Sequence, residues 1–236
     1  MITKMIIKKN IKGFTIVEIL FTITIGLLLL SAIYVAIQSG QRSSVALEQK
    51  VTAQQDVRAA LEIMALEIGM ASYNPMFQSS MWIACSGSAT QANRGFQEAG
   101  ANSITVEMDI GSTGAISDDN NEVIRYVYDT ATERITRATN CGNAFDFLGC
   151  IDANGDGRCD NNLSLRNVRV VNSTLAIPMF RYFDGTNTET ANIPDIRRVD
   201  ITIAIDSDVI DPNTGQRRRM IYSTSVIPRN HAITGF

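Results

Sequence analysis

Little in this chain supports catalysis. Its 236 residues include one histidine, His231, one tryptophan, Trp82, and five prolines. A lone histidine with no convergent acid, serine or cysteine constellation gives a hydrolytic site little to work with. The four cysteines contain no CxxC pair and lie far from His231, so no zinc pattern is present. Lysine is scarce: of five, Lys4, Lys8, Lys9 and Lys12 all precede Phe14, in a stretch without an acid. Those four belong to a total of 21 Lys+Arg, so the chain after residue 13 sets 17 basic residues against 24 acids. Such a chain is a poor general phosphate binder, and no nucleic-acid partner is expected. Proline is missing between Phe14 and Pro75, which leaves that stretch free of the strongest helix breaker.

Apolar residues make up 45% of the chain and charged residues 19%, which excludes both wholesale disorder and full membrane embedding. The length fits one domain with an appendage. That appendage is the N-terminus. Residues 1–12 are basic, and residues 14–37, FTIVEILFTITIGLLLLSAIYVAI, form an apolar span of 24 residues with one acid. At ~1.5 Å per residue this is long enough to cross a bilayer as a helix, with the lysines on the cytoplasmic side. A secretory signal would have a shorter apolar core followed by a small-x-small cleavage site. The exception in the run is Glu18, since a carboxylate in hydrocarbon costs several kcal/mol unless paired or neutralised.

Gly13-Phe14-Thr15-Ile16-Val17-Glu18, after a short lysine-rich leader, resembles the class III signal of type IV prepilins and pseudopilins. The resemblance implies cleavage after Gly13 by a membrane-embedded aspartyl prepilin peptidase, then N-methylation of Phe14. It also implies that Glu18 faces the terminal amine of a neighbouring subunit. The physical sense is direct: a paired buried charge is tolerable, an unpaired one is not, and the pair sets axial register.

Beyond residue 37, Val45, Leu47, Val51, Val57, Ala60, Leu61, Met64 and Leu66 fall mostly at helical spacing. The spacing predicts a helix from about 14 to about 70, roughly 85 Å long, with Gly26, Gly40 and Gly69 as soft points. Asp56, Arg58, Glu62 and Glu67 are expected to make helix-surface pairs. The run from Asp56-Val57-Arg58 through Met64, Glu67-Ile68 and Ala71-Ser72-Tyr73 resembles a pattern of PilW/PulJ-type minor pilins and pseudopilins. Ser72 stands where that pattern has glycine.

After Pro75 the composition turns to Gly, Asn, Ser and short β runs. Residues 76–102 read as an irregular loop region with room for one turn of helix. Strands are predicted at Ser103–Asp109, Asn121–Asp129, Glu133–Arg137, Leu175–Asp184, Ile196–Asp206 and Met220–Ile227. The fold class is therefore α+β, a long N-terminal helix packed against an antiparallel sheet, in agreement with the pilin fold that the resemblance implies. The expected domains are a leader at 1–13, a helix at 14–72 with 14–37 transmembrane, and a β-rich periplasmic or extracellular part at 73–236.

The cysteines Cys85, Cys141, Cys150 and Cys159 allow two disulfides in three pairings. Spacing favours a small loop closed by Cys150–Cys159 or Cys141–Cys150, with Cys150–Cys159 plus Cys85–Cys141 preferred. Inside that loop, DANGDGRCD places Asp152, Asn154, Asp156 and Asp160 at offsets 1, 3, 5 and 9, Gly157 at 6 and the Arg158 carbonyl at 7. This is the front half of an EF-hand-like Ca2+ loop. Leu163 occupies the position of the usual acid, and Asp146 is the candidate substitute. Arg217-Arg218-Arg219 read as an exposed turn and strand edge, His231 as a surface tail residue and Trp82 as core or loop packing.

The resemblance implies a structural, non-catalytic role: a PilW-like minor pilin in a tip or priming complex that starts pilus assembly. Its implied partners are other minor pilins, the major pilin, the inner-membrane assembly platform and the prepilin peptidase. The implied location is a single pass in the inner membrane with the globular part periplasmic, then the fibre or its tip at the cell surface. A J-type pseudopilin of a type II secretion system, or a membrane-anchored adhesin with a pilin signal, are the alternatives.

Overall fold

The structure, a computed structural model, describes residues 13–150, 159, 168–210 and 215–232. Helix α1 runs without interruption over Ile16–Gly69, 54 residues, and passes through Gly26 and Gly40. Compactness divides the chain after Leu47 into a helical unit and a unit from Glu48 onward. In the first unit the large apolar side chains of α1 are exposed on all sides.

The second unit holds two antiparallel sheets. The first is a meander in chain order: β1 (Phe96–Ala99), β2 (Ser103–Glu107), β3 (Val123–Asp129), β4 (Arg134–Thr139) and β5 (Phe145–Leu148). The second is built on β8 (Arg198–Ile210). β9 (Arg217–Val226) pairs along one side of it, while β6 (Val168–Val170) and β7 (Phe180–Phe183) pair end to end along the other. Between those two short strands, the buried Asn172 completes the ladder. Its Oδ1 accepts from the Ala204 N–H at 2.8 Å and its Nδ2 donates to the Thr202 carbonyl at 2.8 Å. Val199, Ile201, Ile203 and Ile205 of β8 alternate into the core.

The last part of α1 joins this core through Ala53, Val57, Ala60, Leu61, Met64 and Ile68, one helical face. Glu67 fixes how that face is turned. Arg137 of β4 donates to both its oxygens, at 2.6 and 3.2 Å, and the Tyr126 hydroxyl of β3 donates to it as well. The expected helix-surface role for Glu67 therefore gives way to a contact from helix to sheet. A helix followed by and packed on antiparallel strands is the pilin fold.

Several sequence expectations shift. The stretch 76–102 is not wholly irregular, since β1 lies within it. Leu175–Asp184 shrinks to Phe180–Phe183 because Leu175 and Ala176 bond back into a turn on Val171, Asn172 and Ser173. β5 and β6 are additional. Two disulfides form, Cys85–Cys141 and Cys150–Cys159. Closing the 56-residue separation of the first is worth about 4 kcal/mol in a chain-entropy account.

His231 is the main correction. It is fully buried rather than on a surface tail. Its Nε2 donates to the Ile193 carbonyl at 2.9 Å, so Nδ1 is the acceptor for the Ser72 hydroxyl at 2.8 Å. Ser72 also accepts the Gly95 N–H at 3.0 Å. Its φ of +65° is the left-handed conformation that glycine adopts without cost. The hydroxyl compensates by satisfying two buried partners. Gly95 must be glycine, because a Cβ there would sit 2.2 Å from the Ser72 nitrogen.

Beside this junction lies Glu107, fully buried, with Oε2 accepting from the Ile83 N–H at 3.2 Å and Oε1 without a hydrogen-bond partner. Burial pushes its carboxyl up to about 8, and burial lowers His231 to about 4. The two groups act oppositely on stability. Glu107 binds its proton more tightly when folded, so its contribution is full below ~4.5 and declines up to about 8. His231 resists its proton when folded, so its contribution is full above ~6.5 and declines down to about 4. Denaturant titrations of the full chain in detergent should show the two cancelling between about pH 4.5 and 6.5, then a fall in stability from pH 6.5 to 8. Glu107→Gln should abolish that fall.

Candidate processing and assembly site

The N-terminal site is built by local rules. Thr15 precedes the first helical residue, and its Oγ1 accepts the Glu18 N–H at 3.3 Å while its carbonyl accepts from Ile19 at 3.2 Å. Thr15-Ile16-Val17-Glu18 has the T-x-x-E spacing of a capping box, which explains why α1 starts where it does. An acid in the first turn also complements the helix dipole. Gly13 and Phe14 stay outside the helix. Nothing approaches within 4 Å of where a Gly13 Cβ would stand, and Phe14 is 79% exposed. The bond between them is thus presented on open, non-helical backbone, as proteolysis requires.

Within the apolar run, other polar groups are satisfied by the helix itself. Thr22 donates to the Ile19 carbonyl, Thr24 to Leu20 and Ser31 to Leu28, each at 2.8 Å. The Glu18 carboxylate is different: it is exposed, and among the described residues it meets no cation. Among the described residues, neither this apolar surface nor the carboxylate is covered. The helix is long and apolar enough to cross a membrane.

Among the described residues of the globular unit the Ser72 hydroxyl does meet His231, at 2.8 Å, but both residues are buried, Ser72 also accepts the Gly95 N–H, and the other ring nitrogen donates to the Ile193 carbonyl rather than to an acid. Asp118, Asp119 and Glu122 bring donor atoms within 4.8 Å of one another. The Glu122 oxygens, however, already accept the N–H groups of Gly111, Ser117 and Asp119, which accounts for them as loop supports. Asp152, Asn154, Asp156, Arg158 and Asp160 lie outside the described residues. Asp146, the candidate substitute ligand, is held by Arg134 Nη1 at 2.9 Å to both oxygens. Arg217-Arg218-Arg219 lie at the start of β9, in keeping with the expected strand edge, and Arg219 pairs with Asp206 at 2.8 Å. Trp82 packs with Met81, Ile116 and Val123 in a small second core.

The N-terminal motif is legible in the sequence because its signal is local and contiguous. The Ser72–Gly95–His231 junction is not: the one available sign was a serine at a glycine position.

Residues 8–34 match the family model described as "Prokaryotic N-terminal methylation motif". No curated protein and no solved structure matches the chain. The chain therefore joins a prepilin-type methylation motif to a pilin fold. Intact-mass and N-terminal analysis of the protein recovered from its native host should show loss of residues 1–13 and one methyl group on Phe14. Recovery of an unprocessed Met1 would overturn this.

Proposed function

We propose that the chain is a PilW-like minor pilin that helps to initiate type IV pilus assembly within a tip or priming complex. The observation that carries this reading is Glu18, which meets no cation among the described residues, on the stretch of α1 from Ile16 to Ile37 whose large apolar side chains are exposed. A subunit that stays single leaves both problems unsolved. A bundle of like helices covers the apolar surface, and cleavage after Gly13 creates the amine that Glu18 lacks. The pair then adds register rather than much net stability, because desolvation offsets most of the Coulombic gain. Other minor pilins, the major pilin, the assembly platform and the prepilin peptidase are the partners of this reading. The globular unit is periplasmic before assembly and surface-exposed afterwards.

Glu18→Leu keeps the helix apolar and removes the register contact. Surface fibre number and recovery of partner minor pilins with the variant should drop at least tenfold. Fibres in normal number would sink the register argument.

The same reading keeps Asp152, Asn154, Asp156, Arg158 and Asp160 as a Ca2+ site that stiffens a surface loop, supported by their spacing and by the Cys150–Cys159 closure. Millimolar calcium should raise Tm by a few degrees and EDTA should reverse it. Asp156→Ala should remove the response.

A further inference from the structure

The seam between α1 and β9 aims two good donors at a poor acceptor. Met220 of β9 is half-buried, and its thioether sulfur accepts from Gln54 Nε2 of α1 and from the Tyr222 hydroxyl, each at 3.6 Å. Tyr222 stands two residues further along β9, so it shares a strand face with Met220. Both side chains pack against the main core. A thioether is a weak acceptor, and among the described residues neither donor meets a stronger one. A half-buried amide and a half-buried hydroxyl are thus committed to sulfur.

The place of this contact gives it leverage. The buried face of α1 begins at Ala53, next to Gln54, and closes near Gly69, where an added Cβ would lie 3.6 Å from Val226 Cγ1 of β9. The end of a packed segment opens more easily than its middle, so a bond at Gln54 governs where α1 stays attached. Other methionines differ. Met64, Met108 and Met179 are fully buried, beyond the reach of a dissolved reagent. Met70 and Met76 are exposed, but among the described residues no donor meets their sulfur. Met220 combines access with donors already in place. The disulfides Cys85–Cys141 and Cys150–Cys159 fit an oxidising compartment.

We propose that Met220 is an oxidation site whose sulfoxide fastens α1 to β9. The oxidant is a peroxide. The sulfur electron pair attacks one peroxide oxygen, an S–O bond forms, the O–O bond breaks, and the departing hydroxide takes the proton and leaves as water. Sulfur is oxidised and the peroxide reduced. Sulfoxide formation in a core puts a polar oxygen where nothing receives it, and so disrupts packing. Here the oxygen emerges toward Gln54 or Tyr222, according to which lone pair reacts, and a weak hydrogen bond to sulfur becomes a strong one to oxygen. Oxidation therefore tightens this seam, and reduction of the sulfoxide restores the weaker contact.

The test treats the full chain in detergent with hydrogen peroxide, maps sulfoxides by peptide mass, and follows amide hydrogen exchange over residues 50–57. The expected result is modification of Met220 together with exposed Met70 and Met76, and exchange over 50–57 slowed at least threefold in the oxidised protein. Met220→Leu should lose that response while Met70 and Met76 still oxidise. In the double variant Gln54→Leu, Tyr222→Phe the new oxygen has no donor, so oxidation should speed exchange instead. These three side chains lie at the margin of the core, and exchange in β3 of each variant checks that its fold is intact. Met220 left unmodified when Met70 and Met76 are fully oxidised would overturn the proposal. So would unchanged or faster exchange in the oxidised parent, or slowing that survives in Met220→Leu or in the double variant.

Discussion

The apolar run from Phe14 to Ile37 cannot be buried by the chain that carries it, and most of the design answers to that. A helix apolar all round has no inside and outside of its own, so it is stable only where its whole circumference is covered. At roughly 25 cal/mol per Å2 of apolar surface, the drive to cover it is large and indifferent to which apolar neighbour supplies the cover. A bilayer serves, and so does a bundle of similar helices. Glu18 breaks the indifference. In a bilayer it is a cost; in the proposed bundle a cleaved neighbour brings the amine that matches it. On that reading one residue makes an assembly element of a membrane anchor.

The other end of α1 is solved by the opposite means. Its buried face is narrow and its partners are specific. Arg137 and Tyr126 converge on Glu67 and set the rotation of the helix on the sheet. The chain then leaves the helix through Ser72, whose left-handed backbone would suit glycine better. The hydroxyl that replaces glycine's freedom ties three distant segments together: the helix end, the entry to β1 at Gly95, and the C-terminal 3-10 turn through His231. Unsatisfied buried donors and acceptors cost ~1–3 kcal/mol each, so losing the hydroxyl harms more than the strain it relieves.

How legible these features were in the sequence follows from their range. The helix limits came within two residues, because the absence of proline and the apolar spacing are local. The strands with alternating Ile and Val, β3 and β8 above all, were equally plain. β1 was missed because Phe96-Gln97-Glu98-Ala99 has no β-branched residue; it is a strand through its register with β2 and the Glu98–Arg125 pair across β2. His231 was misplaced for a related reason. A single residue near a chain end has no periodic context, and its partners lie 159 and 38 positions away. Of the apolar residues at helical spacing from Val45 to Leu66, Val57, Ala60, Leu61 and Met64 are buried whereas Val45, Leu47, Val51 and Leu66 are exposed. Periodicity marks an amphipathic helix without saying how many faces find partners.

Partner choice has a physical consequence that the two ends share unequally. On the proposed reading, Glu18 meets any amine that processing creates, so its contact fixes register while discriminating little among processed subunits. Apolar packing around it discriminates little as well. Selectivity therefore has to reside where geometry and charge combine, on the surface of the unit from Glu48 onward. On that reading, assembly drive and partner recognition belong to different parts of the same chain, and each can change without weakening the other.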